Sequence, residues 1–368
     1  MCEKRTEDEM YLKKKSIILV GLAFCSIVLF ACTAKNPFPL SVPGPYDFGT
    51  RQNYKFTDSS RDNREISITV WYPAVLTEGA PPSDYNFDAD PDINGAPYPL
   101  ILSSAKSGSL FGPHLASHGF VVVGVASMDF YDPWDEHLID YPLDILAALD
   151  YVASTPLKGL EGMIDAEHAG AMGYSFDGYN ALALSGARVD PEFYLARCAN
   201  APTMKPAFTE RWIKFYCTVA GEWDKFSLHA GDSVTTSSDG LWQPMTDERI
   251  RAVMPMAPEG AWLFGERGLK AVDRPTLIIG ATEDTECFYD SEAAYIFDHL
   301  GVTERYLISF IGQDHYMIFQ DDQASIMKHF AAAFFGYYLQ GKEDYAKYFS
   351  EDFVSKREGL AWGVYQGE

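Results

Sequence analysis

From residue 64 onward, short apolar runs alternate with stretches of helical spacing, and this alternation limits the fold more than any other feature of the chain. Residues 65–72 alternate with period two and put Ile66, Ile68 and Val70 on one face. Residues 120–126 read Phe-Val-Val-Val-Gly-Val-Ala, apolar on both faces, as a strand covered on both sides must be. Runs at 100–103, 169–173, 251–256, 276–280 and 306–311 repeat that character. Helical spacing is expected between them at 111–118, at 143–153 with Pro142 in its first turn, and at 176–187, 291–300 and 321–339. The expected class is therefore α/β, with a mostly parallel central sheet flanked by helices.

One segment interrupts the alternation. Residues 188–248 lie between a helix and a strand and carry Phe193, Tyr194, Trp212, Phe215, Tyr216, Trp223, Phe226 and Trp242. A connection this long needs structure of its own, and we expect a helical cap insertion. Its aromatic residues serve either as the cap's own core or as the wall of a binding pocket. The spacing of Cys198 and Cys217 allows a disulfide closing a loop of about 20 residues, worth about 3 kcal/mol in the chain-entropy account, and two free buried thiols are the alternative. Cys287 would then be unpaired.

Ahead of the alternation, Lys13, Lys14 and Lys15 precede an uncharged apolar run from Ser16 to Ala31 that ends in Leu29-Phe30-Ala31-Cys32. This resembles the lipobox of bacterial lipoproteins, in which a small residue precedes a cysteine that is lipidated. The resemblance implies lipidation at Cys32, a cell-envelope location outside the cytoplasm and a membrane as partner. An uncleaved anchor helix is the other reading, and both place the lysines inside. The expected organisation is a leader at 1–32, a Pro- and Gly-rich tether at 33–60, a catalytic domain at 61–345 and a C-terminal tail at 346–368. With 52 acidic against 29 basic residues and a net charge of −23, the surface repels phosphate backbones, so no nucleic-acid partner is expected.

The chemistry concentrates in Gly173-Tyr174-Ser175-Phe176-Asp177-Gly178, which follows a short apolar strand and opens a helical pattern. A serine hydroxyl needs a base to accept its proton and a carboxylate to orient that base. Carboxylates follow the strand at 276–280 in Ala281-Thr282-Glu283-Asp284, and a histidine follows the strand at 306–311 in Gly312-Gln313-Asp314-His315. Each stands at the C-terminal end of a strand, where site residues gather in such sheets. By contrast, Gly231-Asp232-Ser233 has no strand before it, and His114, His118, His137, His168, His229, His299 and His329 lack a comparable setting.

The stretch around Ser175 resembles the nucleophile elbow of the α/β-hydrolase family, whose chain order of serine, acid and histidine is matched here. By that resemblance Ser175 is the nucleophile, His315 the base and Asp284 the acid, with Glu283 as fallback. The family's second glycine, two residues after the serine, is Asp177 in this chain, followed by Gly178. The backbone N–H of Phe176 is one expected oxyanion donor. The other comes from the loop Ser104-Ala105-Lys106-Ser107-Gly108, where Lys106 is taken and Ala105 is the alternative. Trp71-Tyr72-Pro73, Leu115-Ala116-Ser117-His118-Gly119-Phe120, Gly173-Tyr174-Ser175-Phe176 and Asp314-His315 are similar to the branch of dienelactone hydrolase-like proteins and platelet-activating-factor acetylhydrolases. That branch implies a serine esterase acting on a small-molecule or lipid-like ester, without a metal or organic cofactor. A peptidase or amidase with the same triad, and a ligand-binding lipoprotein without catalysis, are the alternatives.

Overall fold

The computed structural model describes residues 36–77, 83, 85–126, 133–204 and 208–367. The chain divides into Met1–Pro39 and Leu40–Glu368. Of the first unit only 36–39 are described, where the Phe38 N–H donates to Asn36 Oδ1 at 2.9 Å. The leader at 1–32 lies outside the described residues. Among those that are described, no helix is long and apolar enough to cross a membrane.

The second unit is built on a ten-stranded sheet. In chain order its elements are β1 (Asp47–Asp58), β2 (Arg64–Val75), β3 (Asp90–Pro91), β4 (Tyr98–Ser104), α1 (Ala105–Ser117), β5 (Val121–Val125), α2 (His137–Ser154), β6 (Ile164–Tyr174) and α3 (Phe176–Leu184). Four cap helices follow: α4 (Pro191–Asn200), α5 (Glu210–Gly221), α6 (Trp223–Ala230) and α7 (Asp232–Thr235). The chain then returns through β7 (Ile250–Met256), α8 (Ala261–Leu269), β8 (Thr276–Ala281), α9 (Ala293–His299), β9 (Arg305–Phe310), α10 (Asp321–Gln340), α11 (Glu351–Val354) and β10 (Leu360–Trp362). The strand order is β1-β2-β5-β4-β6-β7-β8-β9-β10, with β3 beside β2. From β5 across to β9 every pairing is parallel, while β1, β2 and β10 run antiparallel to their neighbours. All of β5 and β8 is buried, as the unbroken apolar runs required.

Three expectations are corrected. The tether does not extend to residue 60, because 47–58 form β1 and pair with β2 from Asp47↔Ala74 to Asp58↔Arg64. This edge strand is half exposed and rich in polar residues, which hid it; Phe56 nonetheless stacks on Tyr151 with centroids 4.3 Å apart. Residues 40–46 are also fastened down. The Leu40 N–H donates to His329 Nδ1 at 2.9 Å, Leu40 O contacts His114 Nε2 at 2.9 Å, and Val42 O contacts His118 Nε2 at 3.1 Å. The segment 346–368 is no loose tail either: Val354 and Leu360 are buried, and β10 pairs with β9.

Helix α2 starts at His137, so Pro142 lies inside it rather than in its first turn. A proline there cannot donate to the carbonyl four residues back, that of Leu138. Tyr179 fills the vacancy by donating its hydroxyl to Leu138 O at 2.7 Å. The cap is helical as expected, and Cys198 in α4 is bonded to Cys217 in α5. Its aromatic residues do both jobs: Tyr194, Tyr216, Phe226 and Trp242 pack in a core shared with the body, whereas Trp212 and Phe215 also line a cavity.

Candidate active site

Ser175 joins β6 to α3 in a conformation that L-residues rarely adopt, with φ 64° and ψ −125°. Such strain costs about 1–3 kcal/mol and persists only where the surroundings hold it. Here the Ser175 N–H donates to Met256 O at 2.9 Å, and the Gly178 N–H to Ser175 O at 2.7 Å. The turn also demands small residues. A Cβ on Gly173 would meet Asp177 O at 2.1 Å, and one on Gly178 would come within 2.9 Å of Met256 O. The second close approach thus falls on Gly178, three residues after the serine, which leaves position 177 able to carry a side chain.

His315 reaches this serine from the loop after β9, with Nε2 2.9 Å from Ser175 Oγ. Its Nδ1 is 2.8 Å from Asp284 Oδ2. A carboxylate partner fixes the tautomer with the proton on Nδ1, leaving Nε2 as acceptor for the serine O–H. Asp284 is buried, and its other oxygen accepts from the N–H groups of Glu286 (2.9 Å) and Cys287 (2.8 Å). Glu283, the fallback acid, is exposed. The base loop is held in turn by the Tyr174 hydroxyl, which donates to His315 O at 2.7 Å. Ser175, Asp284 and His315 therefore meet although up to 140 residues separate them in sequence.

Two helix N-termini frame the serine. Phe176 is the first residue of α3, where an N–H has no carbonyl within the helix to donate to. Lys106 lies in the first turn of α1 rather than in a loop, because Ser104 caps that helix by accepting from the Ser107 N–H at 3.0 Å. The Lys106 side chain lines the cavity and stands 3.7 Å from Asp177 Oδ2. Burial pulls this ammonium below its usual range, and Asp177 opposes the shift.

Residues 96–210, from just before β4 into the cap, match the PETase family, described as PET hydrolase-like. The strained serine at a strand-to-helix turn, on a parallel sheet of this order, lies within that match. Over that stretch the chain is similar to α/β hydrolases, and its fold is α/β. No curated protein matches it. The family match supports a hydrolase acting on esters.

The site opens to solvent through a cavity of about 710 Å³ over Ser175 and His315. Leu110, Trp212, Phe215, Ile318 and Phe319 give it apolar walls. Two further groups line it: Cys287, unpaired as expected but not placed at the site by the sequence reading, and Glu259, which that reading missed. Cys287 is a buried free thiol beside Ser175, and burial pushes it up, so it stays protonated. Glu259, wholly buried after β7, accepts from Trp134 Nε1 at 2.9 Å. Burial pushes its carboxyl up to about 7, against the pull of that hydrogen bond and of nearby His315 and Lys106. Its signal was available: Pro258-Glu259-Gly260 follows a parallel strand, the rule that located Asp284. Among the described residues, no cluster of His, Cys, Asp and Glu is arranged to hold a metal ion.

Proposed function

We propose that the protein is a serine carboxylic-ester hydrolase working through an acyl-enzyme. The observation that carries this reading is the unbroken contact from Ser175 Oγ to His315 Nε2 (2.9 Å) and from His315 Nδ1 to Asp284 Oδ2 (2.8 Å). Ser175 Oγ attacks the ester carbonyl as His315 takes its proton, and Asp284 stabilises the imidazolium without itself being protonated. The tetrahedral oxyanion is received by the backbone N–H groups of Phe176 and Lys106. His315 then protonates the departing alcohol, and water hydrolyses the acyl-enzyme by the same path in reverse. The apolar cavity favours a small-molecule or lipid-like ester, with the acyl or aryl group against Trp212 and Phe215.

A fluorophosphonate probe is expected to label Ser175, and Ser175→Ala to abolish both labelling and p-nitrophenyl butyrate hydrolysis. Labelling that survives in the alanine variant refutes the assignment.

The proposal also places the enzyme outside the cytoplasm, tethered through a lipid on Cys32. Support comes from the basic and apolar leader ending at that cysteine and from the Cys198–Cys217 bridge, which suits an oxidising compartment. Bacterial cells fed radiolabelled palmitate are expected to label the wild type and not Cys32→Ala. Equal labelling, or none in either, rejects the lipid anchor.

A further inference from the structure

Asp177 occupies the place where the hydrolase resemblance has a glycine, and the residue is 3% exposed. Five polar groups are organised around that carboxylate. Its Oδ2 accepts from Ser104 Oγ and from Ser107 Oγ, the latter at 2.6 Å, and Lys106 Nζ is 3.7 Å away. Each hydroxyl is in turn an acceptor: Ser104 Oγ from the Ser107 N–H at 3.0 Å, and Ser107 Oγ from the Tyr174 N–H at 3.2 Å. Every donor therefore points, directly or through one hydroxyl, toward a single oxygen. A hydroxyl has one proton to give, and both serines spend it on Asp177.

The groups so joined come from three elements that meet beside Ser175: the end of β4 with the first turn of α1, the last residue of β6, and the first turn of α3. Lys106 is the residue before Ser107, and Phe176 the residue before Asp177. The bridge thus spans the two helix starts that carry the oxyanion donors of the proposed reaction. A negative charge this near a developing oxyanion would oppose catalysis if left alone; the two hydroxyls and the Lys106 ammonium engage it.

We propose that Asp177 is a positioning residue for ester hydrolysis: it clamps the start of α1 to the start of α3 and so sets the separation of the Lys106 and Phe176 N–H groups that receive the oxyanion. This rests on the serine-esterase reading above. With glycine at 177, Ser104 and Ser107 lose their shared acceptor, and the start of α1 is left with the weaker tie in which Ser107 Oγ accepts from the Tyr174 N–H. Donors must be aimed at the place where charge develops, not at the ground-state carbonyl, so a loosened gap lowers kcat and leaves KM nearly alone.

The test compares full-length wild type, Asp177→Gly and Asp177→Asn in detergent, with active sites titrated by a fluorophosphonate so that only folded, reactive molecules are counted. Turnover is measured on p-nitrophenyl butyrate, and binding with butylboronic acid, which forms a tetrahedral adduct on the serine. Asp177→Gly is expected to lose on the order of 10- to 100-fold in kcat per titrated site, with KM within about threefold and boronic acid affinity reduced by a factor similar to that in kcat. Asp177→Asn, whose amide oxygen still accepts the hydroxyls, recovers most of the loss. Should Asp177→Gly fail to fold, Ser107→Ala is expected to show the same split at about 3- to 10-fold. Unchanged kcat per titrated site, a loss confined to KM, or boronic acid affinity unmoved overturns the inference. A wild type that is neither labelled nor active defeats the esterase reading itself, and the inference falls with it.

Discussion

Glu259→Gln is expected to stabilise the protein, and to do so only above a defined pH. The carboxyl is buried, its ordinary value of 4.5 is raised to about 7, and burial is the largest cause. Below pH 4.5 the group is protonated whether the chain is folded or not, and it contributes nothing to the pH dependence. Between 4.5 and 7 the unfolded chain releases the proton while the folded chain keeps it. The folded state then binds more protons, and stability falls as pH rises. At 1.36 kcal/mol per unit, the full interval is worth about 3 kcal/mol. Glutamine keeps an oxygen for Trp134 Nε1 and cannot ionise. The variant should therefore match wild type near pH 4, gain on it through pH 5–7 and level off about 3 kcal/mol ahead by pH 8. For a unit of this size that is about 4 °C in melting temperature. Urea or thermal unfolding of both proteins from pH 4 to 8.5 reads the effect. Stability curves that run parallel across the range would show that Glu259 titrates alike in both states and refute the argument.

Gly173→Ala should lose about 3 kcal/mol and the reactivity of Ser175 together, because the new Cβ would sit 2.1 Å from a backbone oxygen that no rotamer change can move. Denaturant unfolding and fluorophosphonate labelling measure the two, and wild-type values for both would reject the close approach. Replacing Cys198 and Cys217 by serine should cost about 3 kcal/mol in the chain-entropy account. The cost should fall on the cap: amides of α4 and α5 lose hydrogen-exchange protection while β6 to β8 keep theirs. Uniform loss across the sheet contradicts that assignment.

Sequence reasoning located the parallel strands because a strand buried on both faces has little choice but unbroken apolar residues. It singled out Ser175, Asp284 and His315, which the structure brings into contact, for a related reason, since a parallel sheet delivers its strand ends to one edge. It failed where local character and tertiary role diverge. Strand β1 reads as linker because an edge strand carries polar residues on its open side. Ser104 to Gly108 read as loop because serine and glycine favour turns, yet Ser104 is the cap that starts α1. Pro142 looked like a helix start, and only Tyr179, from another helix, explains how it sits inside one. Asp177 read only as a departure from the family's glycine. The close approaches fall on Gly173 and Gly178, and the carboxylate has a separate set of partners.

The two borders of the sheet are finished by different means. Strand β1 carries Arg51, Lys55 and Asp58, and its register slips between Arg51 and Tyr54, so it offers a visiting chain a charged and uneven template. Strand β10 is short, pairing Leu360 with Phe310 and Trp362 with Ile308, and so presents few open backbone groups. Its neighbour β9 has four consecutive buried residues and would be a far more adhesive margin if left bare. Trimming the chain at residue 359 would leave the elements that carry Ser175, Asp284 and His315 in the sequence yet bare this margin, and self-association is the expected result.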